Sequence, residues 1–426
     1  MAAPGKVTIR AYRVGFGDCF LLTFHYKGDE KRHVLIDFGS SALPTGKKKS
    51  HLIAIAEDIK KQVGEDPFAV VASHRHSDHI SGFATAKDGK GTGDIIRSCK
   101  PDMVVQPWTE DPKLPTDATA PIKGGCSGKA FAQSLLSIHQ IASSVCEFTG
   151  QFDGSSKKPL LRQLAFIGET NLHNLTAVRN LQTMGPNVFA HHGSRSGIEK
   201  LLPDVRVHVL GPPTIKQSPE VKEQREEDDA EFWHLQARAQ APSGGMAKPP
   251  FKVGVPLKDV PADARWFIPR VQRARMQSLL DLVRILDDVL NNTSLILLFE
   301  VGKRFLLFPG DAQIENWSYV LFSARDKKLL AKLARTNVYK VGHHGSLNAT
   351  PKSLWKLFEK KGGEERADRL VTILSSKKGK HGKAERGTEV PRGKLVKALQ
   401  AESALVSTMS RATEKSPLCE VVELDV

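Results

Sequence analysis

The chain has 426 residues, of which 40% are hydrophobic and 26% are charged, and its formal net charge is +15. This length accommodates one large domain with insertions or two ordinary domains. No stretch approaches the roughly 20 apolar residues that cross a bilayer, and the N-terminus lacks the apolar core of a signal peptide. The five cysteines form no CxxC pair, which indicates a reducing compartment, so we expect a cytoplasmic protein without a membrane partner.

The excess of positive charge bears on partners rather than on the fold. It suits a polyanionic partner or a phosphate-bearing substrate, although many cytosolic proteins are simply basic. Small basic clusters stand at 47–49, 270–275 and 377–383. None is interleaved with aromatic residues in the manner of a platform that stacks single-stranded bases. Charge therefore gives only weak support to nucleic acid or another phosphate-bearing substrate.

The first half of the chain predicts a sheet with accompanying helices. A β-branched run, PFAVVAS at 67–73, is typical of a strand buried within a sheet and leads directly into the segment HRHSDH. The other elements predicted here are strands over 7–14, 18–26, 33–39 and 206–213 and helices over 50–62 and 127–147.

The second half begins with a break in this pattern. Residues 214–266 contain an acidic run and several prolines, which indicates an insertion with a mobile centre. After a predicted helix over 268–289 and a hairpin over 294–311, helices and strands alternate. The predicted helices cover 313–335, 351–360 and 391–402, and the predicted strands cover 336–342, 369–375 and 404–409. Strands first, then this alternation, favour an α/β sandwich of two mixed sheets with helices outside.

The segment HRHSDH at 74–79 carries the chemistry. It brings three imidazoles and one carboxylate into six residues directly after the buried strand. A loop at the C-terminal end of a strand can direct alternate side chains at two neighbouring ions, so His74 and His76 would bind one ion. Asp78 and His79 would bind the other. Such ligands suit zinc, and also manganese or iron. The alternative is a histidine-rich surface loop, which the order, the spacing and the preceding strand disfavour.

HxHxDH after a buried strand resembles the signature of the metallo-β-lactamase superfamily. Further segments match in the expected order: VGFGDCFLL at 14–22, LIDFG at 35–39, LLFPGDA at 306–312 and KVGHHGS at 340–346. The set is similar to that of the ComEC-type hydrolase branch, which contains the hydrolase domain of a DNA-uptake channel protein. The resemblance does not include the membrane part of that protein. The resemblance covers roughly 1–110 and 200–410. It implies a four-layer αββα sandwich in which residues 1–426 form one domain, with 214–266 as an insertion.

The resemblance also implies a centre of two divalent metal ions, zinc foremost and manganese as the alternative. Carried onto this sequence, Asp311 is the carboxylate that bridges both ions, although an aspartate that merely closes a turn is the alternative. His343 or His344 completes the second site. We expect His343 to be the ligand, because it follows the predicted strand. Asp37 resembles the buried carboxylate that orients a ligand histidine, whereas we expect Asp18 to close a loop beneath the metals.

The first metal site needs one more ligand, and here the match is weaker. His191 and His192 stand where a third histidine could lie, but the branch often lacks that residue. Members of the branch also carry a His-Pro motif near the C-terminus, where this chain has EVPRGKL at 389–395. The remaining histidines have no second ligand-type residue at metal spacing and are interpreted as bystanders: His25, His33, His51, His139, His173, His208, His234 and His381.

The resemblance implies a hydrolase that uses a metal-bound hydroxide, with Asp78 or Asp311 orienting it. Neither a GxSxG segment nor a GxxxxGK[ST] loop is present, which disfavours a serine nucleophile and ATP-driven chemistry. The charge and the resemblance favour a phosphodiester in nucleic acid or a nucleotide as substrate. The alternatives are an ester, lactone or amide hydrolase, and a non-catalytic scaffold that has kept the fold.

Overall fold

Thirteen strands form two mixed sheets in the computed structural model of the protein, which describes residues 3–113, 120–121, 175–218, 291–348, 350–382, 388–409 and 416–426. The predicted helices over 127–147 and 268–289, and the insertion beyond residue 218, lie outside the described residues. In chain order the strands are β1 (Lys6–Tyr12), β2 (Cys19–His25), β3 (Lys31–Phe38), β4 (Phe68–Val71), β5 (Met103–Pro107), β6 (Asn187–Ala190), β7 (Val205–Gly211), β8 (Ile296–Val301), β9 (Arg304–Phe308), β10 (Val338–Lys340), β11 (Val371–Leu374), β12 (Ala404–Ser407) and β13 (Cys419–Asp425).

Each sheet has an antiparallel part and a parallel part. The seven-stranded sheet has the order β13-β1-β2-β3-β4-β5-β6 and is parallel from β3 to β6. The six-stranded sheet has the order β12-β11-β10-β9-β8-β7 and is parallel from β9 to β12. Parallel neighbours send their carboxyl ends to the same edge of a sheet. This edge is where α/β proteins bind their ligands.

Helices cover the outer face of both sheets. In the described residues they are α1 (Ser50–Val63), α2 (Ser77–Ile80), α3 (Thr92–Ser98), α4 (Leu175–Thr183), α5 (Ile314–Ser318), α6 (Lys327–Ala334), α7 (Lys352–Leu357) and α8 (Gly393–Glu402). None of these helices is long and apolar enough to cross a membrane.

In the part of the chain that the structure describes, three apolar cores separate four layers. Phe20 and Phe24 of the first sheet meet Phe308 and Phe299 of the second, with ring centroids 5.7 Å and 6.2 Å apart. Neighbouring residues on the same strands point outward, so that Leu21 packs beneath the helices of the first sheet. Likewise Trp317, Leu333 and Leu399 cover the outer face of the second sheet. Alternate side chains thus enter different cores, and the predicted α/β sandwich of two mixed sheets is confirmed.

The elements differ from the predicted ones mainly in length. The predicted helix over 313–335 is wrong in its middle, because the chain leaves the helix and Arg325 adopts a φ of 52°. Asp326 then begins α6 by accepting a hydrogen bond from the amide of Leu329 at 3.0 Å. The missed elements are α2, α3, α4, β5, β6 and β13, each of nine residues or fewer. Such short runs show no clear hydrophobic period.

The contact between the sheets gives a prediction on stability. Phe308→Ala removes a buried ring that packs against Phe20 and Phe299. We expect the free energy of unfolding to fall by about 3–5 kcal/mol, the range for truncating a buried phenylalanine. Urea denaturation measures this loss. Phe322 is 57% exposed, so Phe322→Ala is the matched control and should change the free energy by less than about 0.5 kcal/mol. Equal losses in both variants would contradict the position of Phe308.

Candidate metal centre

The predicted ligands come together where strands of both sheets end. HRHSDH follows β4, and Asp37 stands at the end of β3 in the same sheet. Asp311 follows β9, and the His343-His344 pair follows β10 in the second sheet. The edge at which the two parallel parts end therefore brings imidazoles and carboxylates from both halves of the chain into one cluster.

Within HRHSDH the backbone divides the ligands into two pairs. His76 is extended and precedes α2, whereas Asp78 and His79 belong to that short helix. The Nε2 atom of His74 lies 3.0 Å from Nδ1 of His76. Two nitrogen ligands of one tetrahedral zinc, each about 2.0–2.1 Å from the ion, are separated by about 3.3 Å. His74 and His76 are therefore placed as two ligands of one ion would be.

A second group of ligand atoms gathers around one oxygen of Asp311. Its Oδ2 atom lies 3.0 Å from Nε2 of His79 and 3.5 Å from Nε2 of His344. Oδ2 of Asp78 lies 3.2 Å from the same His344 nitrogen. Asp18, His79, Asp311 and His344 are buried, and each offers a ligand atom within 4.8 Å of all the others. This group is compact enough to surround one cation.

The contact between His79 and Asp311 tests whether a cation fits. Nε2 of His79 is buried and makes no hydrogen bond, although Oδ2 of Asp311 is only 3.0 Å away. These two polar atoms are close together but are not aligned as in a hydrogen bond. They are arranged as two ligand atoms that point at the same cation would be. The donor set of imidazole and carboxylate is also one that zinc and manganese accept.

Asp37 fixes the orientation of His79. Its carboxylate accepts hydrogen bonds from Nδ1 of His79 at 2.8 Å and from the amide and hydroxyl of Ser73 at 2.6 Å and 2.7 Å. Nδ1 of His79 is thereby occupied, and Nε2 is left facing Asp311. This contact is the one expected of Asp37, whereas the role of His79 as a metal ligand stays a prediction.

The loops around the cluster approach one another more closely than side chains allow. A Cβ atom on Gly39 would lie 2.4 Å from the carbonyl carbon of Asp78 and from the amide nitrogen of His79. Asp37, His343 and His344 all have positive φ values, of 57°, 40° and 52°. Non-glycine residues rarely adopt this conformation, and such strain concentrates at functional sites. The local backbone is therefore shaped around the cluster.

The histidines of the cluster differ in the direction of their pKa shifts. Burial, together with the neighbouring imidazoles of His79 and His76, holds the pKa of His74 well below its usual value. Burial opposes protonation of His79 and His344 too, but the carboxylate of Asp311 and other nearby carboxylates outweigh it and raise the pKa of both histidines. His74 is therefore neutral, which is the form in which an imidazole binds a metal ion. His79 and His344 hold protons that a metal ion would displace.

The carboxylates show the reverse shift. Burial by itself would raise the pKa of Asp78 and Asp311, but nearby cationic groups hold the pKa of both well below the usual range. For Asp78 the hydrogen bond with His344 has the larger effect, and for Asp311 the charge of His79 does. Both carboxylates are therefore ionised and able to bind a cation at neutral pH.

The two histidines after β10 occupy different positions. His344 lies inside the cluster, with Nδ1 2.9 Å from the carbonyl oxygen of Ser375. The side chain of His343 is 26% exposed and its Nε2 lies 3.8 Å from Oδ2 of Asp311. The geometry thus favours His344 as the ligand, whereas the sequence favoured His343. Asp18 also lies in the cluster, although we expected it only beneath the metals.

The third histidine of the first site has no support from the structure. Nδ1 of His192 lies 2.7 Å from the carbonyl oxygen of Leu210, and its ring packs against Tyr319. Nδ1 of His191 lies 2.9 Å from the carbonyl oxygen of His192. No group of potential ligands found among the described residues includes either histidine.

A cleft of about 260 Å³ opens over the cluster and exposes its edge. His381, interpreted as a bystander from sequence, lines this cleft. The ring of Phe16 lies between two imidazoles, 4.5 Å from His344 and 4.6 Å from His381. The sequence pattern did not indicate this position, because His381 lies 35 residues beyond the HHGS segment in a loop of its own. The cleft is lined by Phe16, Ser41, His76, Ser77, Asp78, Asn291, Asp311, His343, Ser346, His381 and Val390.

No protein-family model matches the chain, and no curated protein matches it. The chemistry assigned to the cluster therefore depends on its own residues and on the resemblance of its motifs.

The protonated histidines give a prediction on metal uptake. Because the pKa values of His79 and His344 are raised, both histidines keep an additional proton to higher pH than ordinary histidines do, and zinc must displace this proton to bind. We expect up to two protons to be released as zinc binds, and the affinity for zinc to fall as the pH is lowered. Calorimetric titration in buffers of different ionisation enthalpy measures the number of protons.

The control for this measurement is His344→Asn, which should release about one proton fewer and bind zinc more weakly. Protein purified without chelator should carry between about one and two equivalents of transition metal. Zinc binding without any proton release would contradict the charges assigned to the two histidines.

Proposed function

We propose that the protein is a two-metal hydrolase of the metallo-β-lactamase fold. The observation that carries this proposal is the position of Asp311, whose Oδ2 atom faces His79 and His344 beside the neighbouring pair His74 and His76. A carboxylate in this place could be shared by two cations. The αββα layering and the order of the motifs further support the metallo-β-lactamase fold and the ComEC-type branch.

Two divalent cations would supply an activated water molecule and stabilise the charge that develops on the leaving oxygen. The residues of the chain have separate tasks in this scheme. His74 and His76 would hold one cation, and Asp78, His79 and His344 would hold the other. Asp37 keeps His79 in its orientation. Asp78 and Asp311 also line the cleft, so their carboxylates are placed to orient the attacking water. His343 also lines the cleft and is in a position to contact the substrate.

A phosphodiester is the substrate that best fits the surroundings of the cleft. Two lysine-bearing loops, 40–49 and 376–381, lie together on one side of it. Nζ of Lys377 joins the two loops by donating to the carbonyl oxygen of Leu43 at 2.6 Å. The amide of Phe16, which lines the cleft, donates to the carbonyl oxygen of Ala42 at 2.8 Å. Ser41 and His381 from these loops line the cleft. Neither loop contains an acidic residue, and together they carry Lys47, Lys48, Lys49, Lys377, Lys378 and Lys380.

These six lysines, which we call the lysine rim, come from two basic clusters that are more than 300 residues apart in sequence. Burial and the neighbouring Lys377 lower the pKa of Lys380, and the charge of Asp78 opposes them. Lys380 of the rim therefore interacts electrostatically with Asp78, which lines the cleft. A backbone of phosphates, in nucleic acid or a nucleotide, is attracted by such an arrangement. An uncharged ester, lactone or amide gains nothing from it.

Hydrolysis by metal-loaded protein tests the proposed reaction. We expect bis-p-nitrophenyl phosphate to be cleaved, and nitrocefin and simple carboxylic esters to be poor substrates. Asp311→Asn should lower the rate by more than about 100-fold, because loss of an outer partner of a ligand alone costs about 10–100-fold. Asp88→Asn at an exposed position is the control and should have no effect.

Each other outcome favours one alternative. Preferential cleavage of the esters or of nitrocefin would indicate the ester, lactone or amide hydrolase. Metal binding without hydrolysis of any of these compounds would argue against an enzyme of this kind. Protein that takes up neither zinc nor manganese would be a scaffold that has kept the fold.

The lysine rim is tested by its dependence on salt. Lys48, Lys49 and Lys378 are exposed, and their combined replacement by Gln should weaken the binding of single-stranded nucleic acid most at low salt. The negative slope of log affinity against log salt becomes less steep by about 0.7 for each lost phosphate contact. The loss of three contacts should therefore reduce its steepness by about 2. Fluorescence anisotropy between about 50 and 200 mM salt measures it.

The matched control replaces three exposed lysines at the opposite ends of the strands. Lys27, Lys31 and Lys303 lie in or beside the β2–β3 and β8–β9 turns, and their combined replacement by Gln changes the net charge equally. If both triple variants lose the same affinity, the effect belongs to the net charge and the lysine rim has no role. Hydrolysis of a small uncharged ester should not respond to either change.

A further inference from the structure

A lysine lies in the interior of the cluster. Lys340 ends β10 and is 1% exposed. Its ammonium group forms an ion pair with Oδ2 of Asp18 and donates to the carbonyl oxygen of Gly310 at 3.0 Å. The same group lies 3.4 Å from Oδ1 of Asp311. A lysine is almost never fully buried unless it is paired, and here its partners are two carboxylates of the candidate metal centre.

Asp311 thereby uses its two oxygens for different partners. Oδ1 faces the ammonium of Lys340 at 3.4 Å, whereas Oδ2 faces Nε2 of His79 at 3.0 Å. The preceding residue, Gly310, has a φ of 56°, and a Cβ atom there would lie 2.8 Å from Cβ of Ser73. The backbone before Asp311 is therefore closely packed, and the ammonium group is placed to set the rotation of the carboxylate.

We propose that Lys340 is a positioning residue that holds Asp311 through Oδ1, so that Oδ2 alone is presented to the metal ions. The proposal rests on the function proposed above, because it assigns Asp311 as the bridging ligand. Without the ammonium group, Asp311 can rotate away from His79 or offer both oxygens to a single ion. Either change separates the two ligand groups that Oδ2 brings together.

Lys340 has two other conceivable roles, and each predicts a different result. A purely electrostatic role places a positive charge beside the cations, so its removal would strengthen the binding of zinc. If Lys340 only neutralises the buried Asp18, replacement of both Lys340 and Asp18 would leave the candidate metal centre intact. Positioning predicts weaker binding of zinc even when Asp18 no longer needs a partner.

The test compares Asp18→Asn with the double variant Asp18→Asn/Lys340→Met. The single variant removes the charge of Asp18 but leaves Lys340 in contact with Gly310 and Asp311. The double variant has no unpaired carboxylate at position 18, which avoids the large cost of breaking only one side of a buried ion pair. If it does not fold, Asp18→Asn/Lys340→Gln replaces it, since an amide can still donate to the carbonyl oxygen of Gly310.

Zinc affinity, measured by competition with a chelator, is the first readout. We expect the double variant to bind zinc about 10–100-fold more weakly than Asp18→Asn, the usual effect of losing an outer partner of a metal ligand. Equal or tighter binding would overturn the proposal. The second readout is a crystal structure of the metal-free double variant, in which Oδ2 of Asp311 should have left His79. An unmoved Asp311 would overturn the proposal as well.

The two readouts separate this proposal from the proposed function. If the protein binds zinc and loses affinity in the double variant but hydrolyses none of the test compounds, the hydrolase fails and the positioning role stands. If the protein hydrolyses bis-p-nitrophenyl phosphate but the double variant binds zinc as Asp18→Asn does, only the positioning role fails. If the unaltered protein takes up no metal, the hydrolase fails, and the orientation of Asp311 in the crystal decides the role of Lys340.

Discussion

Burial of carboxylates at the meeting edge of the two sheets is the constraint on which the rest of the structure depends. Asp18, Asp37 and Asp311 are each 1% exposed or less, and an ionised carboxylate without a partner is very costly in such a place. The partners come from both sheets: His79 and the amide of Ser73 belong to the first, and Lys340 and His344 to the second. The contacts that close this edge of the sandwich are thus the contacts of the candidate centre, so the stability of the fold there and the geometry of the site have one origin.

This constraint explains how much of the site the sequence predicted. HRHSDH, Asp311 and the His343-His344 pair are visible because their ligands are close together in sequence or follow a strand that ends in a turn. The choice between His343 and His344 was not visible, because two successive residues with positive φ reverse the expected alternation of side chains after β10. Lys340 gave one signal, a charged residue within the apolar run NVYKV, but its partner Asp18 is more than 300 residues away. Pairings over such separations depend on the packing of the sheets, which no local pattern records.

The two similar histidine segments of the chain differ in their position in the sheets. AHHGS follows β6 and GHHGS follows β10, so the two segments occupy equivalent places after parallel strands. Only the second enters the cluster, because β10 lies directly beside β9, whose end carries Asp311, whereas β6 is the edge strand of its sheet. Position within the sheet, and not the residue pattern, decides which pair of histidines meets the carboxylates. The fold was predicted better than the site for a similar reason, since the layers follow from alternating apolar residues and the ligand set does not.

The division of the ligands between the two sheets has a consequence for the nascent chain. The residues before 113 include the pair His74 and His76 together with Asp78 and His79, but Asp311 and His344 are synthesised some two hundred residues later. During translation the early part can hold at most an incomplete centre, with its carboxylates lacking both Lys340 and His344. On the proposed assignment, a ribosome-bound fragment that ends before residue 344 cannot acquire the complete pair of ions, and metal loading becomes a marker that synthesis of the second sheet has passed this point.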